Sequence, residues 1–263
     1  MMLDLIDTHC HLDIPEFDDS RTSLLESCRA GGMRAIVVPA VTRSTWDTVR
    51  QVCSESALLW PAFGLHPCYV AQHQMSDVDA LDSYLQQGVV AVGEVGLDVF
   101  HGDTDLDQQL ELLRAQIAVA RNHRLPLIIH ARKTQDLVLR ELRRQRFEWG
   151  GVMHAFSGSQ QQAERFIEAG FCIGFGGAAT YDRAQKLRGI LTAIPITSVV
   201  LETDSPDIPP SFARHEINTP FNLFRITEIL ADVMGVEVAA LARQSTINAL
   251  RVFPGLQATQ PVG

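Results

Sequence analysis

Two histidines stand one residue apart near the start of the chain, His9 and His11 in the run IDTHCHLD. Side chains repeat every two residues along a strand, so extended backbone would turn both imidazoles to one face. Taken alone, the pair is equally the ordinary polar end of a strand. Five further runs change that reading. His66 closes GLH, Glu94 sits in GEVGLD, His130 closes IIH, His154 lies in MHAFSG, and Glu202 and Asp204 lie in LETDSP. Histidines combined with carboxylates suit zinc, manganese or another first-row metal. A carboxylate such as Glu94 can bridge two ions, and two ions about 3.5–4 Å apart can clamp both the attacking and the leaving oxygen of a displacement.

Such residues act together only if the fold gathers them. Each closes a β-rich run, and these runs alternate with stretches of helical spacing. Eight strands are expected, at 3–9, 35–40, 58–66, 89–97, 126–131, 150–156, 171–177 and 198–204. Helices are expected over Ser20–Ala30, Thr45–Glu55, 105–124, Gln135–Arg144, Gln160–Ala169, Tyr181–Ala193, Phe221–Met234 and Val238–Leu250, with a less distinct one over Val78–Gln86. In the stretch 105–124, Leu106, Leu110, Leu113, Ile117 and Ala120 form one apolar stripe. Apolar runs without strict alternation suit strands buried on both faces. Eight of them alternating with helices over 263 residues predict an α/β fold, a (β/α)8 TIM barrel forming a single domain over 1–263. In that fold the C-terminal strand ends meet at one mouth. A doubly wound open sheet is the alternative, and it lacks a G-x-G-x-x-G after the first strand.

Hydrophobic residues make up 46% and charged residues 20% of the chain, an ordinary globular composition. No apolar run approaches the roughly 20 residues of a membrane span, and the start MMLDLID lacks the features of a secretory signal, so a cytoplasmic protein is expected. The formal charge of −9 argues against a broad basic surface for nucleic acid. It leaves room for a phosphodiester whose charge is met locally by metal ions. The five cysteines form no C-x-x-C and are expected to be buried free thiols, with Cys10 facing away from both neighbouring histidines. Neither a G-x-S-x-G elbow nor a phosphate-cradling loop is present.

Several residues keep two readings. Arg132 and Lys133 either clamp a phosphate at the mouth or are solvated charges at a helix start. Ser157 contacts substrate or caps the following helix. Glu202 orients a ligand histidine or pairs with a buried cation. Asp98 holds its loop or approaches a ligand histidine. His66 packs beside Pro67 or meets substrate. His73, His101, His123 and His215 fall in helices or loops and are expected at the surface.

Together, DTHCHLD, GLHP, GEVGLD, IIHAR, HAFSG and LETDSP, in this order over nearly the whole chain, resemble the TatD-type metal-dependent hydrolases, among the amidohydrolase-like barrels. The resemblance implies two divalent metal ions (Zn, Mn or Mg). It makes His9 and His11 ligands of one, Glu94 the bridge, and His130 and His154 ligands of the other. Asp204 would be a ligand of the first that also takes the proton of the attacking water, and His66 would contact the scissile phosphate or assist the leaving group. The implied activity is hydrolysis of a phosphodiester, DNA above all, bound transiently; Arg132 is the candidate phosphate contact. Hydrolysis of an amide or ester, for example an aminoacyl bond, is the alternative. The amidase branch of such barrels commonly carries a strand-four lysine where this chain has Glu94. One departure stands out: where many members carry a basic stretch before Asn-x-Pro, this chain reads RHEINTP, Arg214 to Pro220, with Arg214 its one firmly basic residue. The oligomeric state is left open.

Overall fold

The computed structural model describes residues 3–86, 88–100 and 105–257. Eight strands pair in sequence order, every neighbouring pair parallel. They are β1 (Leu5–Asp7), β2 (Met33–Pro39), β3 (Leu59–Phe63), β4 (Ala91–Asp98), β5 (Leu127–Arg132), β6 (Gly151–Met153), β7 (Phe171–Phe175) and β8 (Val199–Leu201). At the seam between the last and the first, Thr8 N–H donates to the Leu201 carbonyl at 3.1 Å and Asp204 N–H donates to the His9 carbonyl at 2.9 Å. The expected barrel forms. No helix among the described residues is long and apolar enough to cross a membrane.

Nine helices of the α type surround the strands among the described residues: α1 (Arg21–Gly31), α2 (Trp46–Ser54), α3 (Met75–Tyr84), α4 (Leu106–His123), α5 (Gln135–Arg144), α6 (Gln160–Glu168), α7 (Gln185–Ala193), α8 (Leu223–Met234) and α9 (Val238–Val252). Local chemistry sets their ends. Asp105 accepts the Gln108 N–H to start α4, and Ser159 forms a capping box with Gln162 to start α6. Gly32, at φ 104°, ends α1. The α4 stripe is buried as expected from Leu110 through Leu113 and Ile117 to Ala120, whereas Leu106 at the first turn is half-buried.

Two apolar clusters hold the barrel. One lies between helices and sheet and contains Ile36, Leu59, Leu113, Leu139 and Phe166. The other joins Ile6, Val37, Ile128, Val152 and Val200 with Val252 and Phe253 at the end of α9. On β5, Ile128 and His130 are two residues apart and share a face. The same strand face therefore carries packing below and chemistry above.

Several strands are shorter than expected. β1 ends at Asp7, β3 at Phe63, β6 at Met153 and β8 at Leu201, so His9, His11, His66, His154, Glu202 and Asp204 all lie just beyond the sheet. The chain turns at the rim: Lys133, Ala155 and Asp204 hold positive φ of 61°, 41° and 57°. Such conformations are uncommon for residues with a Cβ and cluster at functional sites.

Candidate active site

Glu94, on β4, stands at the centre of the rim and is 2% exposed. Its two oxygens face different partners. Oε1 lies 3.1 Å from His66 Nε2, 3.1 Å from His130 Nδ1 and 4.0 Å from His154 Nε2. Oε2 lies 3.1 Å from His9 Nε2 and 3.9 Å from His11 Nε2. Asp204 approaches from the β8 side, its Oδ1 3.6 Å from His9 Nε2, 3.7 Å from His11 Nε2 and 3.4 Å from His154 Nε2. The residues predicted from separate strands thus meet. His9 and His11 converge, with Nε2 atoms 3.2 Å apart and rings nearly perpendicular. They do so past the end of β1, so a turning backbone rather than a strand pleat brings them together.

Neighbouring groups fix the ring orientations. His11 Nδ1 lies 3.2 Å from the Pro39 carbonyl, which can only accept, so the proton sits on Nδ1 and the Nε2 lone pair is directed to the cluster. His130 Nε2 meets Asp98 Oδ2 at 2.8 Å, leaving Nδ1 toward Glu94. Asp98 also accepts the Phe100 N–H at 2.7 Å, so it both holds its loop and orients a histidine. His154 Nδ1 lies 3.2 Å from Glu202 Oε1, within ion-pair distance but not aligned for a hydrogen bond. Glu202 Oε1 accepts the Ala155 N–H at 2.6 Å. His66 Nδ1 accepts the Cys68 N–H at 3.1 Å, which puts the ring proton of neutral His66 on Nε2.

The electrostatics follow from crowding. Burial pushes the Glu94 carboxyl up, but the surrounding histidines, His66 first, outweigh it and hold it well below the usual carboxylate range. Burial likewise raises Asp204 and His154 outweighs it, so its carboxyl is also held low. Burial lowers His9, and His154, stacked on it at 3.4 Å, lowers it further. His154 goes the other way: Glu202, then Asp204 and Glu94, overcome its burial. His130 is raised to about 9 against its burial, chiefly by the hydrogen bond to Asp98.

These residues fit divalent metal. His9, His11 and Asp204 form one compact donor group, and His9, Glu94 and His154 form another. His9 Nε2 and His11 Nε2, 3.2 Å apart, crowd against the buried Glu94 and Asp204 carboxylates, a set of electron-pair donors that a cation among them would satisfy. His9 Nδ1 and Glu202 Oε2 have no hydrogen-bond partner among the described residues. The donor chemistry, imidazole with carboxylate, is that of first-row metals.

Several supporting residues escaped sequence reading. Gln109 and Gln116, one heptad apart on α4, are buried within its apolar face. Gln109 Oε1 accepts the Asp98 N–H at 2.8 Å and its Nε2 donates to the Asp98 carbonyl at 3.0 Å. Gln116 Oε1 accepts the N–H of Leu65, beside His66, at 2.7 Å. Asp7 accepts from the His9 N–H, the Thr203 N–H and the Thr203 hydroxyl, tying the two sides of the seam; burial pushes its carboxyl up to about 7. A polar residue interrupting a buried stripe was the available signal in each case. Asn218, in the RHEINTP segment, is buried and donates to the Thr203 and Asp207 carbonyls at 2.8 Å each, which ties the loop after β8 together.

Other expectations are corrected. His73 is buried, not at the surface, because its Nε2 pairs with the His66 carbonyl at 2.9 Å. His123 is partly exposed beside Asp82 and His215 is exposed, while His101 lies outside the described residues. Cys68 is exposed, not buried, with Sγ 3.5 Å from Asp98 Oδ2. Ser159, not Ser157, caps α6; Ser157 is exposed and lines the cavity over the cluster. Arg132 also lines that cavity, with its guanidinium 3.5 Å from the centre of the Phe100 ring.

Comparison with known proteins places the chain in a family and agrees with the fold. The family model for TatD-related DNases matches residues 6–254. The chain belongs to the TatD-related DNase family. Among its TatD relatives, the Escherichia coli K12 protein named uncharacterized metal-dependent hydrolase YjjV is 36% identical over 256 residues, covering 96% of this chain and 99% of the relative. The crystal structure of YjjV superposes with a TM-score of 0.92 at 35% identity, covering 97% of this chain and 99% of that one. The human deoxyribonuclease TATDN3 is 29% identical over 268 residues, covering 96% of each chain. An uncharacterized amidohydrolase from Saccharomyces cerevisiae shares the fold, with a TM-score of 0.77 at 17% identity over 95% of this chain and all of that one.

Proposed function

We propose that the protein is a metal-dependent phosphodiesterase of the deoxyribonuclease type. One observation carries this reading: Glu94 turns one oxygen to His130 and His154 and the other to His9 and His11, the disposition of a bridging carboxylate. His9, His11 and Asp204 would hold one cation, and His130 and His154 the second, with Glu94 shared between them. Two bound divalent ions supply Lewis acidity that activates water at neutral pH and offsets phosphoryl charge.

The chain's own groups supply the rest. Asp204 stays ionised beside His154 and keeps a carboxylate edge toward the cavity, so its Oδ atoms receive the proton of the attacking water. Asp98 and Glu202 hold the rings of His130 and His154 in place. His66 points its Nε2 proton at Glu94 Oε1; with Glu94 engaged by cations, that proton would turn to a phosphoryl or leaving-group oxygen. Arg132, exposed at the mouth, contacts the phosphate. The net charge of −9 suits transient binding of DNA rather than a tight grip.

The test is direct. Purified protein, stripped with chelator and reloaded with Zn, Mn or Mg, is assayed on single-stranded oligodeoxynucleotides, simple carboxyl esters and aminoacyl substrates. Metal-dependent cleavage of the oligonucleotides supports the proposal. Turnover of esters or aminoacyl bonds with no phosphodiester cleavage contradicts it.

A further inference from the structure

The cavity over the cluster has a volume of about 750 Å³, within the range of pockets that enclose a small-molecule ligand. The polar groups described above come from other strands. The β7 end reads Phe171 to Ala179 without a charged or imidazole side chain, and it lines the cavity with Gly174, Phe175, Gly176, Gly177 and Ala178. Bare backbone is required here. A Cβ at Gly174 would run into the Glu202 carboxylate, and one at Gly177 into the Ile208 carbonyl.

This arm of the cavity is walled by Phe156, Phe175, Leu187, Ile190 and Ile208. Phe156, Phe175 and Ile190 are buried, and Leu187 and Ile208 are half-buried. Two exposed cations, Arg183 and Lys186, also line it, at the entry to α7. An acidic chain thus sets two positive groups beside an apolar slot that opens onto the cluster.

We propose that the β7 arm is a nucleoside pocket. It takes the base of a nucleotide flanking the phosphodiester attacked at Glu94 and Asp204, while Arg183 and Lys186 hold the adjoining phosphate of the strand. The inference rests on the phosphodiesterase reading and adds where the base goes. The bare peptide from Gly174 to Ala178 suits the flat face of a base, and contact through that face tolerates sequence because every base has one. Cations beside the slot position the backbone without reading sequence. Arg183 also lies over the Tyr181 ring, 5.0 Å from its centroid, so an aliphatic acyl group would use the apolar wall and leave Lys186 without a partner on the ligand.

The test compares short oligodeoxynucleotides, intact or carrying a tetrahydrofuran abasic residue on one side or the other of the scissile bond. With wild-type protein, one of the two abasic substrates is expected to lose about tenfold or more in kcat/KM. In Leu187→Trp, which fills the arm, the intact-to-abasic ratio is expected to fall toward one. In Lys186→Ala, KM for the intact strand is expected to rise several-fold with kcat little changed. Equal cleavage of intact and both abasic substrates by wild-type protein overturns the pocket, and needs no variant to fold. Failure to cleave any of the strands with any metal overturns the phosphodiesterase reading itself, a distinguishable outcome.

Discussion

His130 is held from both sides: Asp98 Oδ2 lies 2.8 Å from Nε2, and Glu94 Oε1 lies 3.1 Å from Nδ1. Asp98 thereby decides which nitrogen faces the candidate metal centre. Outer partners of ligand histidines are typically worth 10–100-fold in metal affinity. Asp98→Ala is expected to weaken binding of the second cation by that factor, read by competition with a chromophoric chelator. Unchanged affinity for both cations would remove Asp98 from the centre.

Asp204 sits at positive φ against three imidazoles, with its carboxyl held low. Its assigned task is to take a proton in the reacting complex. Asp204→Asn keeps the shape and loses the base. We expect kcat to fall at least about 100-fold, in the range typical for a positioned general base, while the circular dichroism spectrum stays native. Near-normal turnover at saturating metal would contradict the role.

Gln116 satisfies the backbone of Leu65 from inside α4, donating to its carbonyl at 3.4 Å as well as accepting its N–H. Gln116→Leu leaves that buried N–H and carbonyl without a partner. The expected cost is about 1–3 kcal/mol in urea unfolding, together with lower activity, because His66 is the next residue. Wild-type stability and activity would show that the pairing is dispensable.

Glu141, on α5, accepts two hydrogen bonds from Arg114, on α4, at 2.8 and 3.1 Å. The Arg114 hydrogen bonds pull its carboxyl below its ordinary 4.5. A carboxyl lowered on folding contributes stability that is complete above the unfolded value and is lost as pH falls through the folded one. Glu141→Gln is therefore expected to cost about 1 kcal/mol near pH 7, a modest figure because Arg114 is partly exposed. The difference should shrink below pH 4.5 as wild-type Glu141 becomes protonated. A gap independent of pH would assign the effect to packing instead.

The barrel and its central residues were legible because their signals are local. Each of His9, His66, Glu94, His130, His154 and Asp204 closes or follows a short β-rich run, and the alternation of runs with helices implies the shared rim. Asp98 and Glu202 could be singled out beside them, but the rest of the surrounding shell was not legible. Gln109 and Gln116 sit inside an amphipathic pattern that looks complete without them, and their partners, Asp98 and Leu65, lie 11 and 51 residues away. Asp7 bonds to Thr203, 196 residues on, across a seam that exists only once the barrel closes. His73 was misjudged for the same reason, since a loop histidine is buried only when a carbonyl such as that of His66 awaits it. At β6 and β8 the strand was overestimated where the chain leaves the sheet through Ala155 and Asp204 at positive φ, a turn that no glycine marks.

In the proposed centre, Glu94 joins two cations. Crystals grown with Mn²⁺ and measured at the manganese absorption edge test it most directly. Two anomalous peaks about 3.5–4 Å apart are expected to flank the Glu94 carboxylate, one beside His9, His11 and Asp204 and the other beside His130 and His154. A single peak, or peaks away from Glu94, would contradict it.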